Sequence, residues 1–207
     1  MTATKKTSRR RGRPRRFDPE AAVAQAQRLF HERGYDAVSV ADMTAALDIG
    51  APSLYAAFGN KADLFRNALK HYGQTGALPL ADLLPQDRPV ADCLGDVLIE
   101  AARRYTADAS ARGCMVLEGT RSNDADAREA SKSYHADAQE AIRRFIAFRH
   151  PAMADDLADF MSVTMAGMSS AACNGYDQRR LAKVAKLAGN AIALALANQS
   201  RAIPLGP

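Results

Sequence analysis

The 207-residue sequence predicts an all-α protein, and three observations carry that prediction. Apolar residues recur at spacings of three and four along most of the chain, which is the period of one helical face. Gly and Pro fall mostly between these periodic segments, where they punctuate rather than interrupt. No stretch alternates apolar and polar residues as a half-buried strand does.

The first helix is expected to start at Asp18-Pro19-Glu20: a capping Asp, a Pro at the first helical position and an early acid. Its stripe is Ala22, Val23, Ala26, Leu29 and Phe30, and Gly34 ends it. Ser39 then precedes Val40, Met43 and Leu47 at helical spacing, with Asp42 where a capping-box acid sits. Ile49 and Gly50 break that series. A second short series runs from Ala51 to Phe58, with Leu54 and Phe58 four apart on one face. Gly59 stops it, and Asn60 caps a third helix carrying Leu64, Phe65, Ala68, Leu69 and Tyr72. Two short helices joined by a tight turn, the second with small and hydroxyl residues outward, describe a helix-turn-helix. Phe30, Val40, Met43, Leu47, Leu54, Phe58, Leu64 and Phe65 are the expected small core behind it.

From Gly73 to about Arg88 the periodicity dissolves into a connection punctuated by Gly76, Pro79 and Pro85, with one helical turn expected at Leu80–Leu84. Val90, Leu94, Val97, Leu98, Ala101 and Tyr105 mark the next helix, and a short segment begins at Gly113-Cys114-Met115 and stops near Asn123. A long helix with Tyr134, Ala138, Ala141, Ile142 and Phe145 ends before His150-Pro151, because the residue before proline disfavours helix. Two more helices follow. One carries Leu157, Phe160, Met161, Met165 and Met168; the other runs from about Gln178 to Asn198 and is apolar or small almost all round. A helix apolar on more than one face must bury more than one face, so a subunit interface is expected here.

Charge is sharply asymmetric. Residues 1–16 hold Lys5, Lys6, Arg9, Arg10, Arg11, Arg13, Arg15 and Arg16 and no acid; removing these eight from the 28 basic residues leaves 20 against 23 acids. The net +5 therefore comes from an arm too charged and too poor in apolar residues to fold alone. Phosphate is its expected partner, through counterion release. Arg11-Gly12-Arg13-Pro14 is similar to the core of an AT-hook, and arginines favour the narrow minor groove of A/T-rich DNA. A solubilising extension is the other reading of the arm.

Phe17 to Tyr72 resembles the DNA-binding domain of the TetR family of bacterial transcriptional regulators, most specifically in LYAAFGNKADLF from Leu54 to Phe65. The likeness covers the first third of the chain; the rest matches in length and helical character. Leu47-Asp48 departs from the Ala-Gly or Leu-Gly usual in the turn, but Asp tolerates the left-handed conformation at modest cost. Ala57 stands where many members carry His or another polar residue, which removes one backbone contact. The domain layout expected is a basic arm over 1–16, a helix-turn-helix domain over 17–72 and a helical effector-binding and dimerisation domain over 73–207.

On the second short helix, Ser53, Tyr55 and Ala56 should lie opposite Leu54 and Phe58, with Ala51 and Pro52 in its first turn. Small residues there admit base edges and the thymine methyl. The resemblance implies phosphate contacts from Tyr55, from Lys61 on the next helix, and from Ser39 or Thr44 on the preceding one. Phosphate contacts position a domain without reading sequence. With no Arg placed for a bidentate guanine contact, specificity is expected to lean on DNA shape and on Arg11 and Arg13.

The resemblance also implies a homodimer through the last two helices, a palindromic double-stranded operator and a small-molecule effector among the middle helices. The candidate effector residues are Tyr105, Met115, Glu118, Tyr134, Phe145, Met161, Met165 and Met168. The function expected is a sequence-specific repressor released from DNA by that effector. An architectural nucleic-acid protein driven by the arm is the alternative.

No catalytic residues, cofactor or metal are assigned, because no paired carboxylates, nucleophile–base arrangement, metal spacing or phosphate loop is found. Cys93, Cys114 and Cys173 read as reduced thiols, with Cys114 a reactive candidate if a helix start lowers its pKa. His31, His71, His135 and His150 are isolated and carry no assignment. No apolar run approaches a membrane span and no secretion signal is read, so a cytoplasmic location is expected.

Overall fold

A computed structural model describes residues 18–202, so Arg11 and Arg13 lie outside the described residues. Every regular element among those residues is helical. Helix α1 (Pro19–Arg33) is capped by the Asp18 carboxylate, which accepts from the backbone N–H of Glu20 and Ala21. Gly34 ends it at φ 76°, a conformation that favours glycine.

Helices α2 (Val40–Leu47) and α3 (Ala51–Phe58) are short, and local bonds hold their ends. Ser39 and Asp42 form the expected capping box at α2. Asp48 takes φ 53° and ψ 42°, so the unusual turn residue does adopt the left-handed conformation. A second capping box, Asn60 with Asp63, starts α4 (Lys61–Thr75). Helix α4 runs one turn further than its sequence suggests, through Gly73. The stop is Gly76: the N–H groups of Gly76 and Ala77 both close on the Tyr72 carbonyl at 2.8 Å. A Cβ on Gly76 would also lie 2.6 Å from the Tyr72 ring.

The connection holds α5 (Leu80–Leu83), and α6 (Val90–Arg104) follows. Then come α7 (Met115–Gly119), α8 (Ala125–Ala147), a 3-10 turn at Pro151–Met153, α9 (Ala154–Cys173) and α10 (Gln178–Ala202). These elements enclose two apolar cores. The first joins Phe30, Tyr35, Phe65 and the inner residues of α2 and α3 to Met115 and Val116 of α7 and Ala127 of α8. Its centre is an aromatic cluster, with Phe65 edge-on to Phe30 at 5.1 Å and to Tyr35 at 4.9 Å. Of the residues expected there Val40 is only partly buried; Tyr35 and Val38 join instead. The second core packs α6 against α10, with α8 and α9 closing it.

Gly119 of α7 sits between α4 and α8. A Cβ there would fall 2.1 Å from Ser131 Oγ and 3.1 Å from the Phe65 ring. The short helix α7 is therefore pressed against both α4 and α8.

Helix α10 explains its own composition. Leu181, Ala185, Ala188, Ile192 and Leu196 are buried, whereas Val184, Leu187 and Leu194 are exposed, the last two by 71% and 63%. The exposed residues, with Ala191 between them, repeat at three and four and form a second stripe. Phe160 and Val163 continue an exposed apolar surface on α9.

Candidate nucleic-acid interface and the cavity behind it

Helix α3 buries Leu54 and Phe58 and turns Pro52, Ser53, Tyr55, Ala56 and Ala57 outward, with Ala51 at the margin. The core thus grips one side of α3 and leaves a smooth, small-residue ridge on the other. Gln25 braces this arrangement by donating from Nε2 to the Ala46 carbonyl at 2.6 Å, which ties α1 to the end of α2.

The hydroxyls expected to face phosphate differ in availability. Tyr55 is 49% exposed and its hydroxyl bonds no described residue, so it is a free donor beside the ridge. Ser39 Oγ donates to the Asp42 carboxylate at 2.5 Å and accepts from the Asp42 N–H at 3.1 Å. The Ser39 hydroxyl and then the Ser39 N–H, both donating to the Asp42 carboxylate, hold it below its ordinary pKa. Thr44 donates to the Ala41 carbonyl at 3.0 Å. Ser39 and Thr44 are thus occupied within their own helix.

Lys61 opens α4, as expected, and its side chain turns toward Tyr35. Its ammonium lies 4.0 Å over the Tyr35 ring, and partial burial lowers its pKa while the Asp36 and Asp124 carboxylates oppose that shift. It belongs to a polar junction between the α1–α4 region and the loop before α8. Asp36 accepts from Ser122 Oγ at 2.8 Å and from the Asn123 N–H at 2.9 Å, and these bonds, the backbone one foremost, depress its pKa. Arg66 reaches Asp126 at 3.6 Å. Burial, and then a hydrogen bond to Asp124, raise the pKa of Tyr35.

A second contact between the halves is partly buried. His31 Nε2 lies 3.3 Å from the Gly113 carbonyl, and its ring meets Tyr72 edge-on at 5.3 Å. Desolvation lowers the His31 pKa, which favours the neutral ring. The Tyr72 hydroxyl in turn bonds Cys114. Nothing in the sequence pattern singles out His31, because its partners are forty or more positions away.

Behind this contact lies a cavity of about 120 Å³. Its wall takes Tyr72, Gly73 and Gly76 from α4, Arg104 and Tyr105 from the end of α6, and Val116 and Leu117 from α7. Ala77, Leu78 and Leu80 of the connection, Tyr134, His135, Ala138 and Ile142 of α8, and Ser162 and Met165 of α9 also line it. Of the candidate effector residues, Tyr105, Tyr134 and Met165 line this space. Met115, Phe145, Met161 and Met168 are instead buried core residues, and Glu118 is half-exposed and paired with Arg121 at 2.6 Å. Cys114 lines the cavity, but burial raises its thiol pKa, the opposite of what a reactive thiolate needs. Among the described residues no cluster of three or more His, Cys, Asp or Glu could hold a metal, and no helix is long and apolar enough to cross a membrane.

Comparison with known proteins agrees with this geometry. Residues 22–68 match the family model described as bacterial regulatory proteins, tetR family. The chain is similar to the HTH-type transcriptional repressor BdcR of Escherichia coli (strain K12), 51% identical over 189 residues, covering 91% of this chain and 96% of the relative. It is also similar to the repressor ComR of the same organism, 33% identical over 194 residues, 88% of this chain and 92% of that one. Among solved structures, a cysteine-substituted form of the TetR family regulator CifR, complexed with 26-bp double-strand operator DNA, superposes with a TM-score of 0.76. That chain is 34% identical, and the match covers 87% of this chain and 99% of CifR.

Proposed function

The chain belongs to the tetR family of bacterial regulatory proteins, and from that premise we propose that it is a homodimeric, sequence-specific transcriptional repressor. The observation that carries this reading is α3 itself: a short helix gripped from behind by Leu54 and Phe58, with a small-residue ridge and a free Tyr55 hydroxyl facing outward. Its named relatives are repressors, and CifR is seen with operator DNA.

In this function, Pro52, Ser53 and Ala56 approach the base edges while Tyr55 donates to a phosphate. Ser39 and Thr44 contribute only after their hydroxyls turn from Asp42 and Ala41. The Arg11 and Arg13 arm supplies minor-groove contact. The exposed stripes of α9 and α10 pair across a two-fold axis, which sets two reading helices about one DNA turn apart on a palindrome. The cavity between α4, α6, α8 and α9 receives the effector. It acts by binding more tightly to a state in which α4 has moved, since only differential affinity shifts such an equilibrium. The protein is a cytoplasmic regulator rather than an enzyme.

Band shifts of the full-length protein on the DNA flanking its own coding sequence test this, titrated with salt and with random duplex as competitor. Retained preference for the flanking DNA is expected. Equal affinity for random duplex would remove the operator reading and favour an architectural, arm-driven protein. Deleting residues 1–16 sharpens the choice: a repressor keeps its preference at lower affinity, whereas an arm-driven protein loses binding.

A further inference from the structure

The chemistry of the cavity wall narrows what can occupy it. The lining is overwhelmingly apolar, and nearly every polar group on it already has a partner. Tyr72 bonds Cys114. His135 Nε2 and Ser162 Oγ bond each other at 3.1 Å. Arg104 gives its Nε to Glu100 at 2.6 Å and its Nη1 to the Gly76 carbonyl at 3.2 Å. Bonds from Arg103 and Arg104 hold Glu100 ionised, with its pKa drawn down to about 2.

Two hydroxyls on the lining have no partner among the described residues: that of Tyr134, which is half-exposed, and that of Tyr105. Tyr105 is 4% exposed and lines the cavity, yet its hydroxyl bonds no described residue. Its oxygen is not sealed within the core, and the cavity is the open space beside it. An unpaired hydroxyl in an apolar site calls for a partner, because leaving it unbonded costs free energy. Burial raises its pKa, so it stays a neutral hydroxyl able to donate or accept.

We propose that the cavity takes a small, uncharged, largely apolar organic molecule, close to benzene in size, whose single oxygen or nitrogen hydrogen-bonds the Tyr105 hydroxyl. The size follows from the 120 Å³ volume, since an apolar protein cavity of about 150 Å³ holds benzene. Neutrality follows from the wall. The Arg104 guanidinium is already held by Glu100 at 2.6 Å and by the Gly76 carbonyl, which leaves an anion only a part-neutralised cation to pair with. A cation would find no carboxylate on the lining. Either ion buried without a full counter-charge is strongly disfavoured. This ligand class rests on reading the cavity as the effector site.

The test is calorimetric titration of the full-length protein with four probes of similar shape: cyclohexanone, benzene, benzoate and cyclohexylammonium. Cyclohexanone is expected to bind best and the two ions not at all. Tyr105→Phe should weaken cyclohexanone roughly threefold to tenfold, the worth of one hydrogen bond, and leave benzene unchanged. Filling the space with Ala138→Leu should abolish binding of both neutral probes. Benzoate or cyclohexylammonium binding as tightly as cyclohexanone would overturn the proposal. So would indifference of cyclohexanone to both substitutions, or no binding of either neutral probe. A parallel band shift separates the two readings: cyclohexanone that binds through Tyr105 without releasing DNA upholds the ligand class and removes the effector role.

Discussion

The α1–α4 region and the α6–α10 region solve the same problem, burying apolar faces of helices, by different means. In the first, α1, α2 and α4 each carry a side-chain cap, two of them full capping boxes. Helices of eight residues are marginal alone; α2 has its capping box, α3 has no side-chain cap, and both rely on the aromatic core to hold a fixed angle. In the second, Asp124 caps α8 and Asp177 caps α10, but α6, α7 and α9 begin without a side-chain cap, and long aliphatic stripes do much of the holding. The first region is filled to its centre. The second keeps a gap at Tyr105 and a bare apolar stripe on α10. On the proposed function, rigidity belongs where geometry must match DNA, and unfilled space and uncovered surface belong where an effector and a second subunit enter.

The largest test of this contrast is Phe65→Ala at the centre of the aromatic cluster. A loss of about 3–5 kcal/mol is expected. Because Met115, Val116 and Ala127 share that core, calorimetry should show a single transition moved downward. A second transition left at the wild-type temperature would make the two regions independent.

Next is Leu187→Glu on the exposed stripe of α10. Light scattering should report a folded monomer with unchanged helical content. Operator affinity should fall on the order of 100-fold, because the second reading helix is no longer tethered. A dimer that survives would move the interface off this stripe.

Tyr55→Phe probes the reading face alone. Loss of one hydrogen bond to a charged phosphate should weaken operator binding about tenfold, with thermal stability unchanged. A stability loss instead would make Tyr55 a packing residue.

The smallest effect concerns the partly buried contact between the regions. The folded protein holds the His31 pKa below its ordinary 6.5, so the unfolded chain takes up a proton first as pH falls. His31 therefore costs nothing well above pH 6.5 and destabilises progressively below it. Melting temperature measured between about pH 8 and pH 5 should fall more steeply in the wild type than in His31→Gln. Equal slopes would place the pH dependence elsewhere.

Much of the first region was legible because its signals are local. Ser39 with Asp42, and Asn60 with Asp63, announce helix starts within four residues, and Leu54 with Phe58 marks the buried side of α3. The helical domain was legible as helices, since its stripes repeat at three and four. Its site was less so. A periodic stripe shows that a residue faces inward; it does not tell core from cavity wall. Tyr105 and Met165 came to face open space, while Met161 and Met168, with the same signal, came to face side chains.

The chain by itself determined the helical class, the capped reading head with its left-handed Asp48, and the two-sided character of α10, because each depends on residues within a few turns of one another. Only the tertiary structure decided that Lys61 would lie over Tyr35, that His31 would meet Gly113 and Tyr72, and that Tyr105 would be left unpaired in a cavity. Those outcomes depend on the distances between helices that are far apart in sequence. Such distances are set by the packing of whole side-chain volumes, which no local pattern encodes.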